Sequence, residues 1–219
     1  TKHAMQLGVA VKAGCFHHVS SIAAAGLYPG VFKEDMFDAA EGLDDPYFRP
    51  KHDSEGMVRR EYPRPYRIYR PAIVLGHSQT GEMDKIDGPY YFFRLIKRMR
   101  ALLPQWVPTI GIEGSRLNMV PVDYVADAMD WIAHKPGLDG HCFHLTDPAP
   151  QRVGEALNTF ARAANAPQMT MRVDARMFAF VPPMVRGAIF NLPPVKRFTN
   201  MMLRDLGIPR QVLKYINYP

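Results

Sequence analysis

No run of the form Gly-x-Gly-x-x-Gly occurs anywhere in the 219 residues. Such a run, set between a strand and a helix, is what grips the pyrophosphate of a dinucleotide, so residues 1–219 alone are expected to bind one weakly or not at all. No apolar stretch approaches the roughly 18–20 residues of a membrane span, and the first residues lack the order of a secretory signal. Cysteine is scarce. Cys15 and Cys142, each in strand-like apolar surroundings, read as small buried hydrophobes of a reducing, cytoplasmic compartment and exclude a disulfide frame. Internal repeats and low-complexity segments are absent. An excess of charge is absent too, except at one end. Of 27 basic and 21 acidic residues, eight and two fall in 172–219, which leaves 19 of each upstream. A nucleic-acid-binding protein is thereby excluded, and the basic tail points to a local anionic partner, such as peripheral contact with a membrane surface.

What is present is an alternation of helix-like and strand-like segments. The opening residues predict a helix over 2–13 closed by Gly14, then a strand over 15–21 that ends in Ser20 and Ser21. Residues 22–43 read as loop, with a turn at Tyr28-Pro29-Gly30. A helix starts at Tyr47 and stops before Pro63. Residues 66–75 are mostly apolar with poor alternation, as in a parallel strand covered on both faces. Beyond a polar loop at 77–88 come a helix over 90–103 and an extended segment at 118–122. A helix over 122–134, a strand at 141–146, a helix at 151–164 and a strand at 168–173 follow. The last part reads as short helices broken by Pro182-Pro183 and Pro193-Pro194.

Tyr47 and Lys51 are four apart, so on a helix they share a face. An ammonium beside a phenol favours the phenolate, and such a phenol passes a proton near neutral pH. A serine hydroxyl nearby holds a carbonyl oxygen. Together these are the parts needed to reduce a carbonyl or oxidise an alcohol with a bound hydride carrier. A bare Tyr-x-x-x-Lys is unspecific, and its bland alternative is an exposed helix with an incidental pair. His141 and His144 invite a metal reading, but on a strand they face opposite ways, so no shared metal is expected.

Several ordered motifs then add up. His18-Val19-Ser20-Ser21 with a later Gly26, Tyr47-x-x-x-Lys51, Arg70-Pro71-Ala72-Ile73-Val74-x-Gly76 and Asn118-Met119-Val120-Pro121-Val122-Asp123 resemble the extended short-chain dehydrogenase/reductase family. Phe32-Lys33-Glu34 matches that family's segment over the cofactor. Within the family the chain is most similar to fatty acyl-CoA reductases and the thioester-reductase domains of carboxylic acid reductases. The resemblance implies an α/β fold: the C-terminal part of a Rossmann-like doubly wound parallel sheet, plus a smaller, mostly helical substrate lobe. It implies a partial NAD(P)-binding domain at 1–147, with a substrate-loop insertion at about 77–117, and a substrate-binding cap at 148–219. The sequence then looks like a piece of a longer protein that lacks the glycine-rich half and has room for a second reductase domain.

By the same resemblance Ser21 polarises the carbonyl, with Ser20 in its place if the register slips by one. Tyr47 moves the proton, and Lys51 lowers the tyrosine pKa and holds the nicotinamide ribose. Ser20, Tyr47, Lys51, Arg70, Pro71, Ala72 and Ile73 would border the cofactor, NADP or NAD, with NADPH favoured. Ser78, Thr80, Tyr90 and Tyr91 would border a small-molecule substrate, an acyl-CoA or other acyl thioester reduced to aldehyde or alcohol. The family departs from the chain at Pro50, where it usually carries a small residue such as serine. Two alternatives stay open: a nucleotide-sugar epimerase or dehydratase, or hydroxysteroid dehydrogenase, of the same family; and a non-catalytic NAD(P)-binding regulatory protein.

Overall fold

Turn and breaker residues cut the chain into elements of one turn to four, and the computed structural model describes them for residues 1–84, 88–113 and 116–174. In order they are α1 (Lys2–Ala10), β1 (Phe16–Val19), α2 (Phe48–Glu61), β2 (Tyr66–Pro71), β3 (Ile73–Leu75), α3 (Phe92–Leu102), β4 (Thr109–Glu113) and β5 (Arg116–Leu117). Then come β6 (Met119–Pro121), α4 (Val122–His134), β7 (Cys142–Leu145), β8 (Gln151–Arg152), α5 (Val153–Ala163) and β9 (Met169–Asp174). The helices expected around the two Pro-Pro pairs, and most of the basic tail, lie outside the described residues. Two units form, one from 1–84 with 118–149 and one from the remaining described residues.

In the first unit β1, β2 and β7 make a parallel sheet with β2 central, in register Phe16 to Tyr66 and Ile68 to Cys142. The poor alternation of β2 has the expected cause: Arg67 through Pro71 are all buried. One face carries Ile68 and Arg70 toward α2. The other carries Arg67 and Tyr69 toward α4. Tyr69 joins Ala72, Val120, Val125, Ile132 and Leu145 in one apolar cluster, and Met5, Val58 and Tyr62 form a second between α1 and α2. Arg67 closes the C-terminal end of α4. It donates to the carbonyls of Ile132 and Ala133, the latter at 3.1 Å, and pairs with Asp139 at 2.9 Å. The Ile132 carbonyl also takes the amide of the C-cap residue Lys135 at 3.3 Å, carbonyls at a helix end being short of partners within it, and a cation suits that end of the dipole.

Three expectations are corrected. α1 ends at Ala10 because Lys12 turns left-handed (φ 52°), so Gly14 is not its cap. The strand expected over 66–75 is two strands. At Ala72 the chain leaves β7 and takes a new parallel partner, β6, with Ile73 opposite Met119. Residues 22–43 are not all loop: Ile22–Ala25 is a 3-10 turn. Pro50 causes no break. It is the third residue of α2, where the amide it lacks would have had no partner in the helix.

α1 and α2 meet at Gly8, where an added Cβ would lie 2.7 Å from the Tyr62 hydroxyl, itself buried without a hydrogen-bond partner. Tyr62→Phe removes that unpaired polar atom and should raise stability by about 1 kcal/mol in urea unfolding. Gly8→Ala should destabilise the wild type but cost clearly less in the Tyr62→Phe background. Equal costs in the two backgrounds would show that the hydroxyl is not the obstacle.

In the second unit β4 and β9 pair in parallel, and β5 and β8 pair antiparallel. α3 buries Phe92, Leu95 and Ile96, and α5 buries Val153, Ala156, Leu157 and Ala161. Phe93 meets Phe160 edge to face at 5.2 Å, which joins the two helices.

Candidate functional site

β1 ends in two hydroxyls with different fates. Ser20 is 2% exposed, and its Oγ donates to Glu55 Oε2 at 2.7 Å. Ser21 is extended, and its Oγ accepts the Ala23 amide at 3.2 Å, capping the 3-10 turn. Accepting leaves the Ser21 O–H able to donate. Gly26 ends that turn at φ 66°, where a Cβ would sit 2.0 Å from the Glu41 carbonyl oxygen, so only glycine fits. This is the physical content of the Ser-Ser-to-Gly spacing.

Tyr47 is the N-cap of α2, and its own amide is held by Asp45 Oδ1 at 2.9 Å. Lys51 lies one turn on, its Nζ 6.0 Å from the centre of the Tyr47 ring. The structure thus brings the pair together on one side of the helix start. Neither polar head has a hydrogen-bond partner among the described residues, and Tyr47 is half-exposed. His52, the next residue, holds the 3-10 turn through the Ala24 carbonyl at 3.0 Å and stacks on Phe37 at 4.1 Å. The element that begins with Ser21 is therefore pinned to the helix that begins with Tyr47 and Lys51.

Arg70 is not where the family pattern led. It is 0% exposed and forks onto Glu55, at 2.6 Å to Oε1 and 3.0 Å to Oε2. Its remaining N–H groups reach the Lys33 carbonyl (3.3 Å), the Met36 carbonyl (2.9 Å) and His144 Nε2 (3.2 Å). Phe32 covers the guanidinium at 5.1 Å. All five donors are thus spent inside the protein. Burial pushes the Glu55 carboxyl up, but the Arg70 hydrogen bonds and charge, the Ser20 hydroxyl and Arg59 outweigh it and hold Glu55 below the usual carboxylate range. Burial, then the charge of Arg70, pushes His144 down, so it accepts from Arg70 as a neutral imidazole. Of the other residues expected near a cofactor, Pro71 and Ala72 are buried at the change of strand partner and Ile73 is half-buried.

Ser78 is exposed and committed. Its amide and hydroxyl both donate to Asp123, at 2.9 and 2.6 Å, and those two bonds hold the Asp123 carboxyl low. Thr80 bonds within its own loop, to Glu82 at 3.4 Å. Asn118 behaves as a strand in miniature, exchanging two 2.8 Å bonds with the backbone of Asp147. Tyr90 and Tyr91 belong to the second unit, in the 3-10 turn Gly88–Tyr91 before α3, and Tyr90 packs on Phe93 at 5.1 Å. Sequence reasoning missed Glu55. The signal was there: Tyr47, Lys51, Glu55, Val58 and Tyr62 fall on one helical stripe, with a carboxylate in its middle.

His18, on the same face of β1 as Ser20, is buried with Nε2 unpartnered. Burial pushes it down to about 4; the charge of Glu55 opposes this and that of Lys51 adds to it. The unfolded chain protonates this histidine near its ordinary value of 6.5, the folded one only near 4, so in between the proton goes to the unfolded state. Stability should therefore fall as pH drops through this window, by up to about 3 kcal/mol from this residue. Urea midpoints at pH 7 and pH 4.5 test it. His18→Leu should lose distinctly less than wild type, while His17 and His144, which burial lowers in the same direction, still contribute in both.

The chain is similar to several known proteins. It is 30% identical over 183 residues to the non-canonical nonribosomal peptide synthetase FrzA of a Cladobotryum species, covering 76% of this chain and 17% of that protein. It is 31% identical over 122 residues to the glycine betaine reductase ATRR of Emericella nidulans, covering 53% of this chain and 9% of that protein. The sequence thus spans less than a fifth of either relative. Among solved structures, the terminal R domain from the myxalamid PKS-NRPS biosynthetic pathway superposes with a TM-score of 0.60 at 23% identity, over 94% of this chain and 48% of that one. The Bordetella bronchiseptica enzyme WbmG in complex with NAD gives 0.56 at 13% identity, over 77% and 48%. These likenesses make the fold Rossmann-like. Residues 1–129, which carry the serine strand, the tyrosine–lysine helix and most of the Asp123 helix, match the family described as male sterility protein. The chain therefore belongs to that family, an NAD-binding branch of the extended short-chain dehydrogenases/reductases.

Proposed function

We propose that the full-length protein is an NAD(P)-dependent oxidoreductase that reduces an acyl thioester to an aldehyde or alcohol. The observation that carries this reading is the helix start: the Tyr47 phenol and the Lys51 ammonium sit one turn apart, half open, with no hydrogen bond to a described residue. Tyrosine and lysine with unspent heads fit a carbonyl oxygen and a ribose, and Ser21, buried with its Oγ accepting the Ala23 amide, keeps its O–H to donate. The nicotinamide, when bound, supplies the hydride. Tyr47 delivers a proton to the carbonyl oxygen, and the free O–H of Ser21 donates to the same oxygen as charge builds on it. The hemithioacetal so formed breaks its C–S bond, releases the thiol and leaves the aldehyde, and a second hydride and proton take the aldehyde to the alcohol. Lys51 places its charge beside the phenol and holds ribose hydroxyls. Arg70, fully enclosed, is left out of this assignment. Relatives named as a glycine betaine reductase and an aldehyde reductase, and the R domain likeness, support a carbonyl-reducing chemistry.

Residues 148–219, with the insertion at about 77–117, would supply the acyl-binding region, including Tyr90 and Tyr91. Each further methylene buried there is worth roughly 0.8 kcal/mol, so kcat/KM should climb steeply with acyl length until the groove is full. The basic tail adds attraction to anionic groups, CoA phosphates among them, that fades with salt. The test is a series of acyl-CoA substrates from short to long, with NADPH and NADH, at low and high salt. A flat response to length, or better activity on a nucleotide sugar, would replace this reading with the epimerase or dehydratase one.

A further inference from the structure

We infer that Glu55 is the positioning residue of this site: its carboxylate sets the spacing between the strand end that carries Ser21 and the helix start that carries Tyr47 and Lys51. The inference rests on the oxidoreductase reading and adds the device that holds its parts in place.

Glu55 lies four residues past Lys51 and eight past Tyr47, on the same stripe of α2. It is 0% exposed. Each oxygen takes two bonds: Oε1 from Arg59 Nε at 2.9 Å and Arg70 Nη2 at 2.6 Å, Oε2 from Ser20 Oγ at 2.7 Å and Arg70 Nε at 3.0 Å. A carboxylate offers about four lone-pair sites, so this one is saturated and has no second orientation to adopt. Its partners come from different parts of the chain. Ser20 precedes Ser21, Arg59 is one turn further along α2, and Arg70 precedes Pro71 at the end of β2. Through Arg70 the hold extends to the backbone of Lys33 and Met36 and to His144 on β7.

Packing alone would not ask for this. A buried ion pair costs desolvation that apolar side chains of like size avoid. What the charge adds is direction, because four short bonds fix a strand end against a helix where apolar contact lets it slide. The Ser20–Glu55 bond is the member of the set that ties the serine pair directly to the tyrosine–lysine helix. It commits the Ser20 hydroxyl to Glu55, whereas Ser21, next in the chain, keeps its O–H to donate.

The experiment uses the full-length enzyme. Ser20→Ala cuts the link to the strand and leaves the ion pair whole. It should lower kcat about tenfold, the scale of a small misplacement of reacting groups, with cofactor Kd changed less than about twofold and the melting midpoint lowered by a few degrees for one lost hydrogen bond to a buried charge. In a Tyr47→Phe background the same substitution should cost almost nothing, because the group it positions is gone. Glu55→Gln should give a larger fall in kcat of the same kind; if it fails to fold, Ser20→Ala decides alone. Unchanged kcat in Ser20→Ala beside an inactive Tyr47→Phe overturns the positioning role and leaves the oxidoreductase reading standing. An equal cost in both backgrounds overturns it too, since it marks a general loss of structure. Full turnover in Tyr47→Phe alone sinks the oxidoreductase assignment and this inference with it.

Discussion

Tyr47→Phe in the full-length protein should, on the oxidoreductase proposal, lower kcat by about 10²-fold or more, the scale of losing a general acid. The expectation follows from where the phenol stands. Its oxygen bonds to no described residue and its ring is half-exposed, so the hydroxyl contributes little to the fold that a phenylalanine would lose. Deleting it removes a proton donor and leaves the helix start as it was, with the Tyr47 amide still held by Asp45. The melting midpoint and cofactor Kd should stay near wild type, because Lys51 and the rest of the chain that binds cofactor are intact. The loss should appear in kcat and kcat/KM alike, as for an interaction made only in the transition state. Steady-state kinetics with a thioester substrate, paired with a fluorescence titration of NADPH, measures both. A fall in kcat below about threefold would remove Tyr47 from the proton transfer.

The parts of the site that the sequence made legible are those set by local rules. Four-residue spacing put Tyr47 and Lys51 on one side of α2, and the helix geometry kept them there. The stop before Pro63 and the tolerance of Pro50 in the first turn both follow from a missing amide hydrogen. The double burial of β2 showed as an apolar run without alternation. The break at Ala72 did not show, because it depends on which strand lies alongside: the backbone of Ala72 still bonds to Leu145, and the next amide turns to Asn118. Partner choice is a property of the sheet, and a strand of mostly apolar residues reads the same whichever neighbour it takes.

Arg70 marks the other limit. Its position in Arg70-Pro71-Ala72 resembled a cofactor contact, and nothing in that tripeptide tells a guanidinium that faces a ligand from one that faces a helix. The distinguishing residue, Glu55, is 15 positions away on another element. A charged residue inside an apolar stripe, however, has to find a partner, since an isolated buried charge is too costly to keep. Glu55 on the Val58 and Tyr62 side of α2 therefore calls for a buried cation, and β2 offers two arginines, Arg67 and Arg70, of which the structure gives it Arg70. Ser78 teaches the same lesson at the surface. Its hydroxyl was read as facing substrate, yet Asp123 in the first turn of α4 takes both its donors.

Arg70→Met should destabilise the protein by about 3–5 kcal/mol, the cost of leaving one member of a buried ion pair without the other. Against a total of about 5–15 kcal/mol for an ordinary domain this is enough to unfold a marginal protein. The substitution keeps much of the side-chain volume, so a cavity is not the main loss. What goes is the fork on Glu55 and the donors to the Lys33 and Met36 carbonyls. A structure held by charge behaves differently with pH from one held by volume. In the wild type the Glu55 carboxyl is held low, so its contribution is present above its unfolded pKa and is lost as pH falls through the folded value. Without Arg70 the main counterweight to burial is gone, so the folded carboxyl moves up, with Ser20 and Arg59 alone holding it down. The stability it forfeits relative to wild type is then fully lost at neutral pH and is regained as falling pH protonates it. The gap between variant and wild type in urea unfolding should therefore be widest near pH 7 and narrow toward pH 4.5. Arg70→Met combined with Glu55→Leu should recover part of the lost stability, because the buried carboxylate is gone and the charge left unpaired is that of Arg59, whose side chain is 20% exposed and reaches water. By the positioning argument it should not recover turnover. A single variant as stable as wild type at pH 7, or a gap that does not change with pH, would show that the pair is not the charge-balanced core of this site.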